Sequence, residues 1–292
     1  SGHPGMPMGM AEVTTILFVL HLNFYSKDEN WENRDRFILS AGHGSMLIYS
    51  ILYLLGYKGI SLEDLKNFRK IGSPTAGHPE LNEVPGIETT TGPLGQGFAN
   101  AVGMAISEKI VRNRAGADCF NHFTYSILGD GCIMEGISHE AASLAGHLGL
   151  SNLIVLYDDN EISIDGPTSL TMSDKTLERF SSYGWHTETV DGYNFEEINS
   201  AILRAKSDKR PSLISCKTVI GYGSPNKQGT AGSHGAPLGE HEINLVRKSL
   251  KWEHQPFCIP EEIINLWRKA GIRSKQIYEN WIQKNESRVK KI

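Results

Sequence analysis

Two short runs, Gly129-Asp130-Gly131 and Asp158-Asp159-Asn160, carry the strongest chemical signal in this sequence. Each follows an apolar run, 126–128 and 154–157, with the length and composition of a buried strand. Ligands of a parallel sheet sit beyond the carboxyl ends of its strands, so both runs fall at one rim. There Asp130 offers a carboxylate, Asn160 an amide oxygen, and the extended Ile162 a free carbonyl. Three hard oxygen donors suit magnesium, which completes its octahedron with phosphate oxygens and water; calcium is the alternative. Gly131 lets backbone approach a phosphate closely, and the helix after it would turn its positive dipole end toward the anion. Either run alone reads as an ordinary turn. Together, on consecutive strands, they point to a cation–phosphate site. No Gly-x-Gly-x-x-Gly follows the first strand, which weighs against a dinucleotide.

Four histidines sit between glycine, proline and serine: His3 in Gly-His-Pro-Gly, His43 in Gly-His-Gly, His78 in Gly-His-Pro and His234 in Ser-His-Gly. Such neighbours belong to shaped loops, where function concentrates. No His-x-x-x-His spacing or cysteine partner makes them a zinc site, and the other seven histidines read as surface or core residues. The stretch 88–97, which includes Gly92-Pro93-Leu94, is either a plain loop or a backbone grip for a flat polar ring. Pro93 stiffens it, and a helix starting near Gly95 would present free N–H groups.

These residues need a frame that holds them. Helical patterns are expected over 11–24, 45–55 (ending at Gly56), 61–69 from a capping box at Ser61, 95–113, 136–148, 175–183 and 195–205. Strand patterns are expected over 123–128, 153–157, 185–190 and 213–219. Near-continuous apolar strands alternating with helices predict an α/β fold: a doubly wound, mostly parallel sheet with helices on both faces. The stretch 221–239, with six glycines and no periodicity, is a loop long enough to be functional or disordered.

Composition narrows the function. With 292 residues, 39% hydrophobic and 21% charged, the chain can bury a large core. A net charge of −4 and a pI near 6.3 supply no broad basic surface for nucleic acid or anionic membrane. The basic tail at Arg288, Lys290 and Lys291 reads as a solvated end. The longest apolar run, 16–20, is far too short to span a membrane, and no secretory leader is visible. Four scattered cysteines without metal or redox spacing favour a reducing compartment, the cytoplasm. The chain opens without Met in what reads as a loop and stops after a helical pattern, so a longer parent polypeptide is expected.

Gly129-Asp130-Gly131 through Asn160 resembles the diphosphate-binding motif of thiamine-diphosphate enzymes. Segments 1–5 (Ser-Gly-His-Pro-Gly), 41–45 (Ala-Gly-His-Gly-Ser), 91–97 (Thr-Gly-Pro-Leu-Gly-Gln-Gly) and 233–239 (Ser-His-Gly-Ala-Pro-Leu-Gly) resemble transketolases specifically, and the likeness runs over about 1–250. The resemblance implies a thiamine-diphosphate-binding fold and transfer of a two-carbon ketol unit from a ketose phosphate to an aldose phosphate, in the pentose phosphate pathway. It implies that Asp130, Asn160 and the Ile162 carbonyl ligate the metal, and that Gly131 meets the diphosphate. His43 would contact the cofactor near its phosphate end, and Gly92, Pro93 and Leu94 its aminopyrimidine. His3, His78 and His234 would face the sugar's first carbons, His234 also reaching the cofactor, and Glu135 would link two active sites across a subunit interface.

In the family, the glutamate that activates the aminopyrimidine and the groups that clamp sugar phosphate lie in a later domain, contributed by the partner of a homodimer. The resemblance therefore divides this chain into a diphosphate- and magnesium-binding domain, 1–255, and a helical linker, 256–292, leading toward a pyrimidine-binding domain. This chain alone is expected to be inactive. Three alternatives stand beside this reading: an enzyme of the same cofactor class making 1-deoxyxylulose 5-phosphate or dihydroxyacetone, a non-catalytic module descended from transketolase, and a natural split enzyme. The Gly-His-Pro-Gly and Ser-His-Gly-Ala-Pro-Leu-Gly segments argue against a deoxyxylulose-phosphate synthase. Retention of every metal donor and histidine argues against the non-catalytic module.

Overall fold

The computed structural model describes residues 2–289, the side chains of 286–289, Arg288 of the basic tail among them, excepted; Ser1 of the opening motif and Lys290 and Lys291 of the tail lie outside the described residues. Its centre is a five-stranded parallel sheet of β1 (Arg36–Leu39), β2 (Thr124–Gly129), β3 (Leu153–Asp159), β6 (His186–Asp191) and β7 (Ser212–Lys217), in the order β1-β2-β3-β7-β6. A small antiparallel hairpin of β4 (Ile162–Ser163) and β5 (Gly166–Pro167) stands apart from it.

β2 and β3 lie inside the sheet and are buried without alternation, as cover on both faces requires, β2 even at its polar Thr124 and Ser126. The chain steps from β2 to β3 through helix Gly136–His147, then from β6 back toward β3 through helix Phe195–Ser207 into β7. Right-handed crossovers in opposite directions put these two helices on opposite faces, so the sheet is doubly wound as the alternation predicts. Helix Gln96–Ala115 packs with Gly136–His147 over β1 to β3. Phe98, Phe180 and Trp185 meet in that layer, and the Trp185 indole donates to the Ala142 carbonyl at 2.8 Å. Helix Phe195–Ser207 packs against β3, β6, β7 and helix Ala11–Ile16.

The helices and strands expected from periodicity are present with ends shifted by a few residues, and Gly56 ends helix Ser45–Leu55 in the left-handed region (φ 86°). The Ser61 capping box is formed with Asp64, although its helix is the shorter Leu62–Lys66. Three features differ. Helix 11–24 ends early, passing through a π turn at Leu17–His21. The opening segment read as a loop holds a one-turn helix, Gly5–Gly9. β1 was not expected: it is four residues long, and its buried Phe37, Ile38 and Leu39 follow a polar stretch.

Residues 256–289 pack on this body. Ser26 N–H donates to the Gly271 carbonyl at 2.9 Å, and helix Glu261–Gly271 lies on Ser45–Leu55. Trp281 fills a cluster with Trp31, Cys119 and Phe120, its indole donating to the Cys119 carbonyl at 2.6 Å. Among the described residues no helix is long and apolar enough to cross a membrane.

Candidate functional site

Strand register builds the site. Gly129 pairs with Asp158, and Asp158 with Cys216, so the carboxyl ends of β2, β3 and β7 finish level. Asp130, Asn160 and Thr218 leave these ends side by side. A cavity of about 290 Å³ opens above them. Its wall contains Asp130, Gly131, Asn160, Ile162, Gly92 and Leu94 together with His3, His43, His78 and His234. Ten of the twelve residues singled out from sequence therefore share one cavity. Pro93 and Glu135 do not line it: both are exposed, and Glu135 stands just before helix Gly136–His147.

The floor of the cavity is acidic. Asp130 is 4% exposed; Tyr157 Oη–H donates to its Oδ1 and Glu161 N–H to its Oδ2 at 3.1 Å. Burial pushes its carboxyl up to about 6, against the pull of the Tyr157 hydrogen bond. Asp158, not foreseen from sequence, is 1% exposed at the end of an apolar strand and also lines the cavity. Burial drives it up to about 7, while Thr218 Oγ1–H donates to Oδ1 and Asn160 Nδ2–H to Oδ2 at 2.8 Å. That last bond fixes which way the Asn160 amide faces. Its oxygen is on the Ile162 side, accepting the Ile162 N–H at 3.0 Å, and a lone pair is left for a ligand. Glu161 between them adopts φ 62°, a conformation uncommon for a side-chain-bearing residue, and this turn brings Asn160 and Ile162 together. On the outer side Lys217 pairs with Asp159 at 2.9 Å and Glu161 at 3.2 Å.

The segment after Gly129 is a one-turn helix, Asp130–Met134, broken at Glu135 before the longer helix begins. The long dipole expected there is absent, so close backbone approach is what this turn offers an anion. A Cβ on Gly131 would lie 2.9 Å from Leu94 Cδ1, a cradle that any side chain would begin to fill. The helix after the 88–97 stretch starts at Gln96, and its Phe98 N–H is already taken by Ser40 Oγ at 2.9 Å.

Opposite the floor, three imidazoles meet. Ring centroids of His3 and His43 are 5.1 Å apart, His43 and His234 5.1 Å, and His3 and His234 5.7 Å. They come from segments more than two hundred residues apart because Gly5 lets the opening turn close on the loop carrying His234; a Cβ there would lie 2.5 Å from the Ser233 carbonyl oxygen. His78 flanks Gly92 at the mouth. His3 Nδ1 and His234 Nδ1 are buried without a hydrogen-bond partner. Buried polar atoms ordinarily have one, so each of these two nitrogens keeps an unused hydrogen-bonding capacity. Burial lowers the pKa of His3, His234 and His43, His43 to about 3 with further pushes from His234, His3 and His78.

The sign of that last shift yields a prediction. The unfolded chain protonates His43 near its ordinary value while the folded chain resists until about pH 3, so stability is full above about 6.5 and falls as pH drops. Between pH 7 and 5, wild type should lose about 2 kcal/mol more urea stability than His43→Asn. Equal losses would mean that His43 protonates freely in the folded chain.

Comparison with known proteins decides the family. A family model described as "Transketolase, thiamine diphosphate binding domain" matches residues 1–292. The chain belongs to the transketolase family. It is that family's thiamine-diphosphate-binding domain. Transketolase 2 of Vibrio vulnificus (strain CMCP6) is 59% identical over 277 residues, covering 93% of this chain and 42% of the relative. The crystal structure of a transketolase from Campylobacter jejuni superposes with a TM-score of 0.94 at 43% identity, over 98% of this chain and 45% of that one. A Pichia stipitis transketolase in complex with sedoheptulose 7-phosphate gives 0.92 at 43% identity, over 98% and 44%. The chain thus spans less than half the length of these transketolases. Its buried acid pair, glycine cradle and orphaned imidazole nitrogens fit a diphosphate-bearing cofactor held through a cation.

Proposed function

We propose that this domain forms the diphosphate-binding half of a transketolase active site, in an enzyme that transfers a two-carbon ketol unit between sugar phosphates in the pentose phosphate pathway. The observation that carries the reading is the single cavity in which three packed histidines face the buried Asp130 and Asn160. Asp130, Asn160 and the Ile162 carbonyl would hold magnesium, with calcium as a substitute. Gly131 would lie along the diphosphate, His43 near its phosphate end, and Gly92 and Leu94 along the aminopyrimidine. When bound, thiamine diphosphate supplies the reactive carbon and the electron sink for breaking a ketose carbon–carbon bond.

The chain's own residues orient the substrate and manage its protons. His3 and His234 donate hydrogen bonds to the ketose oxygen on which negative charge grows, and His78 guides the sugar at the mouth. As neutral imidazoles each carries one N–H to give and one lone pair to take a hydroxyl proton. The Pichia stipitis relative was crystallised with a ketose phosphate, in keeping with that substrate class. The remaining half of the site would come from the pyrimidine-binding domain of a homodimer partner, reached beyond segment 256–292, with Glu135 at that interface. We place the enzyme in the cytoplasm.

The test is ketol transfer from xylulose 5-phosphate to ribose 5-phosphate, with magnesium and thiamine diphosphate, by the full-length protein and by residues 1–292 alone. Turnover is expected from the full-length protein only. Substantial transfer by the 292-residue chain would overturn the half-site reading. An inactive full-length protein that still binds cofactor would overturn transketolase activity.

A further inference from the structure

The loop Gly221–Gly239, which carries His234, is tied down by hydrogen bonds within it and to the backbone beside it. Gly221 N–H reaches the Gly5 carbonyl at 2.9 Å, and Gly229 N–H the Ile220 carbonyl at 2.8 Å. Lys227 Nζ reaches the Leu238 carbonyl at 3.0 Å. A carboxylate outside the loop also grips it, through three hydrogen bonds. Glu242, in the first turn of helix Glu240–Ser249, is 5% exposed. Its Oε1 accepts from Ser224 Oγ at 2.5 Å and from Asn226 N–H at 2.9 Å, and its Oε2 from Asn226 Nδ2 at 2.9 Å. Charge-assisted bonds of this kind are about twice as strong as neutral ones.

The grip passes along the loop. Next to Asn226, the Lys227 carbonyl accepts Thr230 Oγ1–H at 2.8 Å, and the Thr230 carbonyl accepts both Ser233 Oγ–H at 3.0 Å and Ser233 N–H at 3.1 Å. Ser233 is fully buried, and His234 follows directly. Glu242 itself lies outside the cavity wall.

We propose that Glu242 is the positioning residue for His234: by anchoring the Ser224–Asn226 turn it holds the loop in the one shape that keeps this imidazole against His3 and His43. The kinetic part of this inference rests on the reading of His234 as a sugar-facing group. The positional part does not.

The test uses Glu242→Ala, Glu242→Gln and Ser224→Ala in the full-length protein. Carbethoxylation of each histidine by diethyl pyrocarbonate, followed by peptide mass spectrometry, reports imidazole access directly. Losing the charged anchor should open the loop enough to speed modification of His234 about tenfold or more in Glu242→Ala. The milder Glu242→Gln and Ser224→Ala should fall between it and wild type. Exposed His147, at the C-terminal end of helix Gly136–His147, and buried His122 should keep their rates. Donor-ketose KM should rise about tenfold.

Unchanged modification of His234 in all three variants overturns the inference. So does acceleration that includes His122, because that is general loosening. If Glu242→Ala fails to fold, the graded response of the two milder variants decides. Selective acceleration at His234 with unchanged donor KM upholds the anchor and sinks the sugar-facing role of His234 instead.

Discussion

Asp130→Asn in the full-length protein is expected to lower affinity for magnesium–thiamine diphosphate about a hundred- to a thousandfold, the equivalent of about 3–4 kcal/mol. The estimate rests on charge. A divalent cation and a diphosphate would meet here against a largely buried wall, and Asp130 is the only carboxylate among the three proposed metal donors. An amide keeps the volume and can still accept from Tyr157 or Glu161 N–H, but it brings no negative charge to offset the dehydration of magnesium. Asp130→Ala should lose at least as much affinity, and stability besides. It leaves the buried Tyr157 hydroxyl and the Glu161 N–H without their acceptor, at about 1–3 kcal/mol for each buried group left unpaired. Calorimetric titration of metal with cofactor separates the two effects when paired with urea unfolding of the ligand-free protein. The asparagine variant should lose binding with its fold intact. Asparagine binding within threefold of wild type would remove Asp130 from the metal site and leave it a structural acid.

This contrast also shows which parts of the site a reader of the sequence can reach. Asp130 and Asn160 were legible because each ends an apolar run, and strand ends in a parallel sheet face one rim. Asp158 was not, although it is one residue from Asp159. Its role depends on facing inward to meet Thr218, sixty residues later, and that meeting exists only because β7 inserts between β3 and β6. No local pattern records strand order. Tyr157 hid in the same way, as one more apolar strand residue until its hydroxyl is seen on Asp130. β1 escaped for a different reason: four residues opening with Arg36 give periodicity too little to work on. The helix expected over 136–148 is present, but the single turn Asp130–Met134 that comes before it, ending at Glu135, left no periodicity to read. The histidines came through because their glycine and proline neighbours mark shaped loops, although their meeting across more than two hundred residues is a fact of tertiary structure alone.

The geometry of that meeting carries the second large effect. His3→Ala and His234→Ala should each lower kcat/KM for the ketose donor about a hundred- to a thousandfold, the usual consequence of removing one hydrogen-bond donor from a developing oxyanion. Their ring centroids are 5.7 Å apart and each holds a buried Nδ1 that no protein group satisfies, so both can serve one small polar group between them. Shared service makes the double variant informative. Groups acting on one oxygen are not additive, and His3→Ala/His234→Ala should fall well short of the product of the two single losses. His43 differs, being stacked on His234 but assigned to the phosphate end; His43→Ala should weaken cofactor affinity before it changes donor discrimination. Steady-state kinetics with cofactor titrated separately distinguishes the cases. A donor kcat/KM within fivefold of wild type in both single variants, with cofactor affinity reduced, would move His3 and His234 from the sugar to the cofactor. Full multiplicativity in the double variant would mean two separate contacts, and the orphaned nitrogens would then need two different partners.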